Sequence, residues 1–389
     1  MGEAEAQPET EPRRAGWFER HAKLTLFLVL LVALGGLALL ADRLLALKIK
    51  PPQTGVTRHI RMRELPPGYA EVVILPPGVL EPGGGALPPR SQLRADAQGF
   101  IMPSRVHDRP DVTLAFLGGS TTECRHQPEE KRFAFLAGRL LEARTGLKVN
   151  SYNASRSGNN SLHSLNLLLN KVLPLKPTVV VMMHNVNDLT TLLYEGTYWN
   201  RNASRRPVVE ERRSLRGDFR NLVAGLREAT IPHLYAAIRS LGRKTQEFSA
   251  PDEFAGVRGR RLSVDEAFLL REFTANLTAF VHLCRARGVR PVLMTQANRL
   301  KAVPDDRIAR QLKAVEAQGI PYAVYKGLYD RFNQTVREVA AREGAILVDL
   351  DRLIPQEKLY MFDAVHFTDQ GSELVAQKVA EALQGELQR

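Results

Sequence analysis

Four short segments between Gly118 and His366 carry the side-chain types that acyl transfer needs. They are Gly118-Gly119-Ser120-Thr121-Thr122, Asn153-Ala154-Ser155-Arg156-Ser157-Gly158, Asn185-Val186-Asn187-Asp188 and Asp363-Ala364-Val365-His366. A serine hydroxyl attacks a carbonyl poorly until a base takes its proton. Ser120 is the candidate nucleophile and His366 the candidate base, which later returns the proton to the leaving group. Asp363, three residues before His366, is expected to accept the other ring N–H. It would then fix the tautomer and stabilise the imidazolium. A developing oxyanion needs preorganised donors, here the backbone N–H of Ser120, the backbone N–H of Gly158 and the side-chain amide of Asn187. A glycine at 158 brings its backbone close without a Cβ in the way. Taken singly, each feature has a plainer reading. Ser120, Thr121 and Thr122 suit a helix cap, Gly158 an ordinary loop, Asn187 a turn and Asp-x-x-His a surface turn. The Walker lysine that would make the Gly-Gly-Ser turn a phosphate cradle is absent.

Such side chains meet only if a fold gathers them. Short apolar runs predict strands over Val112–Leu117, Leu147–Tyr152, Thr178–Met183, Pro291–Thr295 and Ala345–Val348. Helical periodicity falls between them, over 130–145, Ser161–Leu173, Asp265–Arg287, Tyr322–Arg342 and Asp369–Leu387. Alternating strands and helices imply a central parallel sheet of about five strands in a three-layer α/β sandwich. Ligands of such sheets bind at the carboxyl ends of the strands. Ser120 follows the first strand, Gly158 the second and Asn187 the third, so topology alone sends them to one edge.

The stretch Asp363–Gly371, DAVHFTDQG, is the strongest single signal. With the three earlier segments, it makes residues 111–389 resemble the SGNH hydrolases, or GDSL-type esterases, whose blocks carry Ser, Gly, Asn and His in this order. The resemblance implies a flavodoxin-like fold and a serine esterase that works through an acyl-enzyme, with no metal or organic cofactor. Gly119 stands where the family usually has Asp. Asn185 stands where Gly is usual, and is expected to narrow the pocket or add a polar contact. His184 has no Asp at a plausible offset and reads as a wall or packing residue, with Asp188 structural. The expected substrate is an O-acyl ester, foremost O-acetyl, on a glycan or lipid. An O-acyltransferase using the same site and a non-catalytic, membrane-tethered glycan-binding protein are the alternatives.

The rest of the chain sets the location. Leu24–Ala41 is an uncharged apolar run about long enough to cross a bilayer, and no clear cleavage site follows it. It predicts a signal-anchor helix, with residues 1–23 as a cytoplasmic tail and the catalytic domain outside the cytoplasm, periplasmic in a bacterium. Residues 42–110, rich in Pro and Gly, read as a stalk and lead-in. An Arg-rich insertion at about 190–262 could overhang the crevice as a cap. The net charge of +12 suits anionic lipid or glycan, but no nucleic-acid-binding motif accompanies it, so nucleic acid is not an expected partner. The two cysteines, Cys124 and Cys284, are too few for a disulfide framework and read as buried free thiols in helices. Oligomeric state is not legible.

Overall fold

The computed structural model describes residues 17–46, 62–202, 205–207 and 259–387, with Val223, Leu226, Thr230, Ile231 and Leu234. The chain divides into two compact units, Met1–Pro51 with Arg212–Gly242, and Pro52–Glu211 with Arg243–Arg389.

In the first unit, Ala22–Ala46 forms one helix, α1. At 1.5 Å per residue it is about 37 Å long, against a bilayer core of about 30 Å. Its apolar side chains are exposed. Length and composition therefore let it cross a membrane, as an anchor or a signal sequence does. The cytoplasmic tail expected at 1–23 lies outside the described residues up to residue 16.

The second unit begins with an antiparallel pair, β1 (Ala70–Ile74) and β2 (Arg90–Arg94). There follow β3 (Val112–Gly118), α2 (Ser120–Glu123), α3 (Phe133–Thr145), β4 (Val149–Asn153), α4 (Ser161–Leu167), β5 (Val179–Met183) and α5 (Val186–Glu195). Then come α6 (Glu266–Arg285), β6 (Arg290–Met294), α7 (Asp306–Glu316), α8 (Tyr322–Glu343), β7 (Ile346–Val348), α9 (Leu350–Leu353) and α10 (Asp369–Leu387). The main sheet has five parallel strands in the order β4-β3-β5-β6-β7. This is the expected three-layer α/β fold.

Strand alternation sorts the core into two layers. Leu114, Phe116, Val181 and Met294 face α3 and α10, meeting Ala137, Leu141, Val375 and Val379. Ala115, Leu117, Val180 and Leu293 face the other side, toward Leu192, Phe273, Phe280 and Phe332. Burial on both faces is why these strands read as continuous apolar runs. The predicted helix over Ser161–Leu173 is regular only to Leu167. A widened turn and a tighter one follow, because Pro174 has no N–H to continue the ladder.

From Met62 onward, the stretch read as stalk and lead-in packs against the unit that carries the main sheet. The Ile101 N–H bonds to the Asn153 carbonyl at 2.9 Å. The Asn150 side chain accepts the N–H groups of Val106 and His107 at 2.9 and 2.8 Å. These contacts cover the edge strand β4, which would otherwise leave unpaired backbone groups. Further on, the Asp369 N–H donates to the Ala86 carbonyl and the Ala86 N–H to Gln370 Oε1.

Arg132, buried at the start of α3, ties this lead-in to the loop after Ser120. Its guanidinium donates to the carbonyls of Cys124 (3.2 Å), Met102 (2.8 Å) and Gln92. An Arg132→Met substitution keeps most of the packing but strands those carbonyls. Since each unsatisfied buried acceptor costs about 1–3 kcal/mol, a loss of about 3 kcal/mol or more in unfolding free energy is expected from urea titration. A change below about 1 kcal/mol would show that the clasp is replaceable.

Candidate active site

The turn from Gly118 to Ser120 is built by close approach. β3 ends at Gly118, Gly119 is extended, and α2 is a single turn closed by Cys124 in the left-handed region at φ 51°. A Cβ on Gly118 would land on the Thr122 side chain, and one on Gly119 on the Asn187 amide. Gly119 therefore occupies its position because the Asn187 side chain fills the adjacent space.

The Asp363–His366 turn is self-supporting. Asp363 Oδ1 accepts the N–H groups of Val365 and His366 at 2.9 and 2.7 Å. Its Oδ2 lies 2.7 Å from His366 Nδ1, and His366 Nε2 lies 2.8 Å from Ser120 Oγ. One carboxylate thus shapes the turn and orients the ring, which is why a spacing of three suffices. Arg299, almost fully buried, holds this turn from outside. Its Nη1 donates to the Met361 carbonyl at 3.0 Å and its backbone N–H to the Ala364 carbonyl at 2.9 Å.

Gly158 has φ 78°, a conformation that favours glycine. Asn187 is half-buried, and its Nδ2 donates to the Asn159 carbonyl at 2.8 Å. Among the described residues, neither the Ser120 nor the Gly158 N–H has an acceptor. Ser120, Gly158, Asn187, Asp363 and His366 all line one cavity of about 690 Å³. The structure therefore brings every site residue read from the sequence to the same place.

Other residues hold these in register; of them the sequence singled out Asp188 alone, as structural. Gln296, just past β6, donates to Thr121 Oγ1 at 2.8 Å and accepts the Val186 N–H at 2.9 Å. It joins the turn after β3 to the start of α5. Glu123 accepts a hydrogen bond from Ser157 Oγ, joining α2 to the Gly158 loop. Asp188 accepts the Ser161 N–H at 2.9 Å and the Tyr198 hydroxyl at 2.7 Å. It thereby fastens the segment after Gly158 to the helix that bears Asn187. The only available signal was a polar residue at the end of each parallel strand.

Two readings need correction. His184 does have an acid partner, because the helix brings Asp188 Oδ2 to 3.4 Å from Nδ1 one turn on. Its Nε2 lies 2.6 Å from Ser164 Oγ. This Ser164–His184–Asp188 series copies the order of a catalytic relay, but all three residues are buried, so no ester reaches them and the packing role stands. Asn185 does not narrow the cavity. It points into the core, where its Nδ2 donates to the Tyr329 carbonyl and to Asn333 Oδ1, both at 3.0 Å.

The model of the GDSL-like lipase/acylhydrolase family matches residues 116–374. The chain belongs to this family. No curated protein matches it. Among solved structures it is similar to a protein from Parabacteroides merdae described as a GDSL-like lipase, at 15% identity and TM-score 0.42, covering 72% of this chain and 98% of that one. It is also similar to an acetylxylan esterase from Geobacillus stearothermophilus, at 15% identity and TM-score 0.39, covering 70% and 94%. A third similar structure is an alpha/beta hydrolase from the metagenome of Lake Arreo, Spain, at 17% identity and TM-score 0.39, covering 72% and 97%.

Within this GDSL-like fold, the cavity is also lined by β1 and the chain that follows it, through Val73, Ile74, Pro76 and Val79. The Arg-rich insertion expected at about 190–262 begins with the last turns of α5. Beyond Asn202 it lies almost wholly outside the described residues. Arg205, buried there, lines the cavity and stacks over Tyr194. Cys124 and Cys284 are both buried and free, Cys124 closing α2 and Cys284 within α6. Among the described residues, no acid–histidine–cysteine group is arranged to hold a metal.

Burial sets the electrostatics around the site. It pushes His163 down to about 4 and His184 down to about 3, and pushes Asp188 up to about 6. Burial also raises Asp363, but the charge and hydrogen bond of His366 and two backbone N–H groups outweigh it and hold the carboxyl below its usual range.

The buried histidines give a pH dependence. An unfolded chain protonates them near 6.5, while the folded chain resists until pH 3–4. Stability present above pH 6.5 is therefore lost as pH falls toward 4, on the order of 3 kcal/mol for each at full effect. Asp188 acts in the opposite sense between about 6 and its unfolded value, so it partly offsets the fall. Urea midpoints measured from pH 7 to 4 should decline, and His184→Gln should flatten the decline. An unchanged slope in that variant would remove His184 from the account.

Proposed function

We propose that this chain is a serine ester hydrolase acting on an O-acyl ester, foremost an O-acetyl ester, of an extracytoplasmic glycan or lipid. The observation that carries the reading is the hydrogen-bonded series Ser120 Oγ, His366 Nε2, His366 Nδ1, Asp363 Oδ2, at 2.8 and 2.7 Å, opening into a cavity that also holds Gly158 and Asn187. Membership of a lipase and acylhydrolase family supports the same class of chemistry.

In this reading, His366 takes the Ser120 proton as Oγ attacks the ester carbonyl. The negative charge on the carbonyl oxygen is met by the N–H groups of Ser120 and Gly158 and by Asn187 Nδ2. Collapse of the intermediate breaks the bond to the alcohol oxygen, which receives the proton from His366. The acyl-enzyme is then released by water through the same steps in reverse. An acyltransferase differs only in admitting a second alcohol in place of water. The α1 helix anchors the protein, with its N terminus in the cytoplasm and the catalytic domain outside.

The test uses the full chain in detergent with p-nitrophenyl acetate. Ser120→Ala should abolish turnover and fluorophosphonate labelling with the melting curve unchanged, whereas equal rates would remove Ser120 as nucleophile. Asp363→Asn should reduce kcat by about 10³–10⁴, because the imidazole loses its orienting acceptor. Asn187→Ala should reduce kcat by about 10²–10³, the effect of deleting one oxyanion donor. A folded protein that never labels at Ser120 would instead be a binding protein.

A further inference from the structure

His126 lines the same cavity and has no part in the chemistry above. The residues on either side of it are fixed. The Arg125 guanidinium donates to Glu71 at 2.9 Å, and Gln127 Nε2 donates to the Phe367 carbonyl. The His126 ring meets Phe362 edge-on, with centroids 5.6 Å apart at 87°. Phe362 in turn stacks on the His366 ring, with centroids 5.7 Å apart at 16°. His126 Nδ1 is buried and has no hydrogen-bond partner among the described residues. Burial, and then the neighbouring His366 and Arg125 charges, push its pKa down to about 4. At neutral pH the ring therefore offers one donor and one acceptor.

Nδ1 is closed off by the protein, but the ring as a whole is only partly buried and borders the cavity, so a ligand reaches it from that side. Which half of the ester reaches it follows from the chemistry. His366 must hand its proton to the leaving oxygen, so the alcohol half lies on the His366 side of Ser120. The acyl oxygen lies toward Gly158 and Asn187. Through Phe362, His126 belongs to the His366 side. The cavity of about 690 Å³ falls in the range of about 300–1,000 Å³ that encloses a drug-sized ligand, far more than an acetyl group fills.

We infer that His126 is a specificity-determining residue that hydrogen-bonds a second, free hydroxyl on the alcohol half of the substrate. The substrate class is then a partial ester of a polyol, with the polyol supplied by a sugar or by glycerol. This rests on the serine-esterase reading.

The experiment measures kcat/KM of the full-length protein on matched esters. Propyl acetate lacks the second hydroxyl; glyceryl monoacetate and methyl 6-O-acetyl-glucoside carry it, one for each source. The ratio of two substrates within one protein does not depend on the fraction that is folded. The wild type should favour the hydroxylated ester by about tenfold or more, chiefly through KM. His126→Phe should bring the ratio near one, and His126→Gln, which keeps a donor and an acceptor, should restore part of it. Loss of preference on the glucoside assigns a sugar source, and loss on the glyceride assigns a glycerol source. No preference in the wild type, or a preference intact in His126→Phe, overturns the inference. Failure of the underlying reading is seen separately, as p-nitrophenyl acetate turnover that survives Ser120→Ala.

Discussion

The active-site arrangement depends on β3 lying inside the sheet, hydrogen-bonded to β4 on one side and β5 on the other. A parallel sheet sends all its carboxyl ends in one direction. Placing the first strand between the second and third makes the following connections diverge to opposite faces, and a crevice opens where they part. Ser120 stands at that point, with Gly158 and Asn187 beside it. Shared register does most of the positioning: Phe116 pairs with Asn153, and Gly118 with Met183. The loops then need only short reaches.

Polar contacts between loops supply the remaining precision. Each strand end contributes at least one side chain that reaches across to its neighbour. Asn153 Nδ2 donates to the Thr122 carbonyl at 2.7 Å, Asp188 reaches Ser161, and Gln296 reaches Thr121. Such contacts are strong in a low-dielectric interior and costly to break singly. They explain why so much buried polarity surrounds a small reactive group. The Asp363–His366 turn is the exception, held mainly by its own Asp363 and by Arg299 from outside.

The sequence made the sheet legible because its strands are buried on both faces and so read as plain apolar runs. Ser120, Gly158 and Asn187 were legible from type and order at strand ends, and Asp363 and His366 from the stretch DAVHFTDQG. The β2 strand was not, because RSQLR buries only Ser91 and Leu93 and shows no apolar run. The Asp188 partner of His184 was missed because a helix begins between them, turning an offset of four into adjacency. Asn185 gave no hint of its direction, since its partners Tyr329 and Asn333 come from a helix far along the chain. His126, Gln296 and Arg299 have no local pattern at all. Their roles come only from what the fold sets against them.

The hairpin of β1 and β2 lies outside the stretch matched to the family, yet it forms a wall of the cavity and is clasped to the loop beyond Ser120. The Ser120, His366 and Asp363 series and part of the cavity wall thus belong to separate stretches of the chain. Substitutions at Val73, Ile74 or Val79 can therefore reshape the cavity while the hydrogen bonds among Ser120, His366 and Asp363 stay untouched.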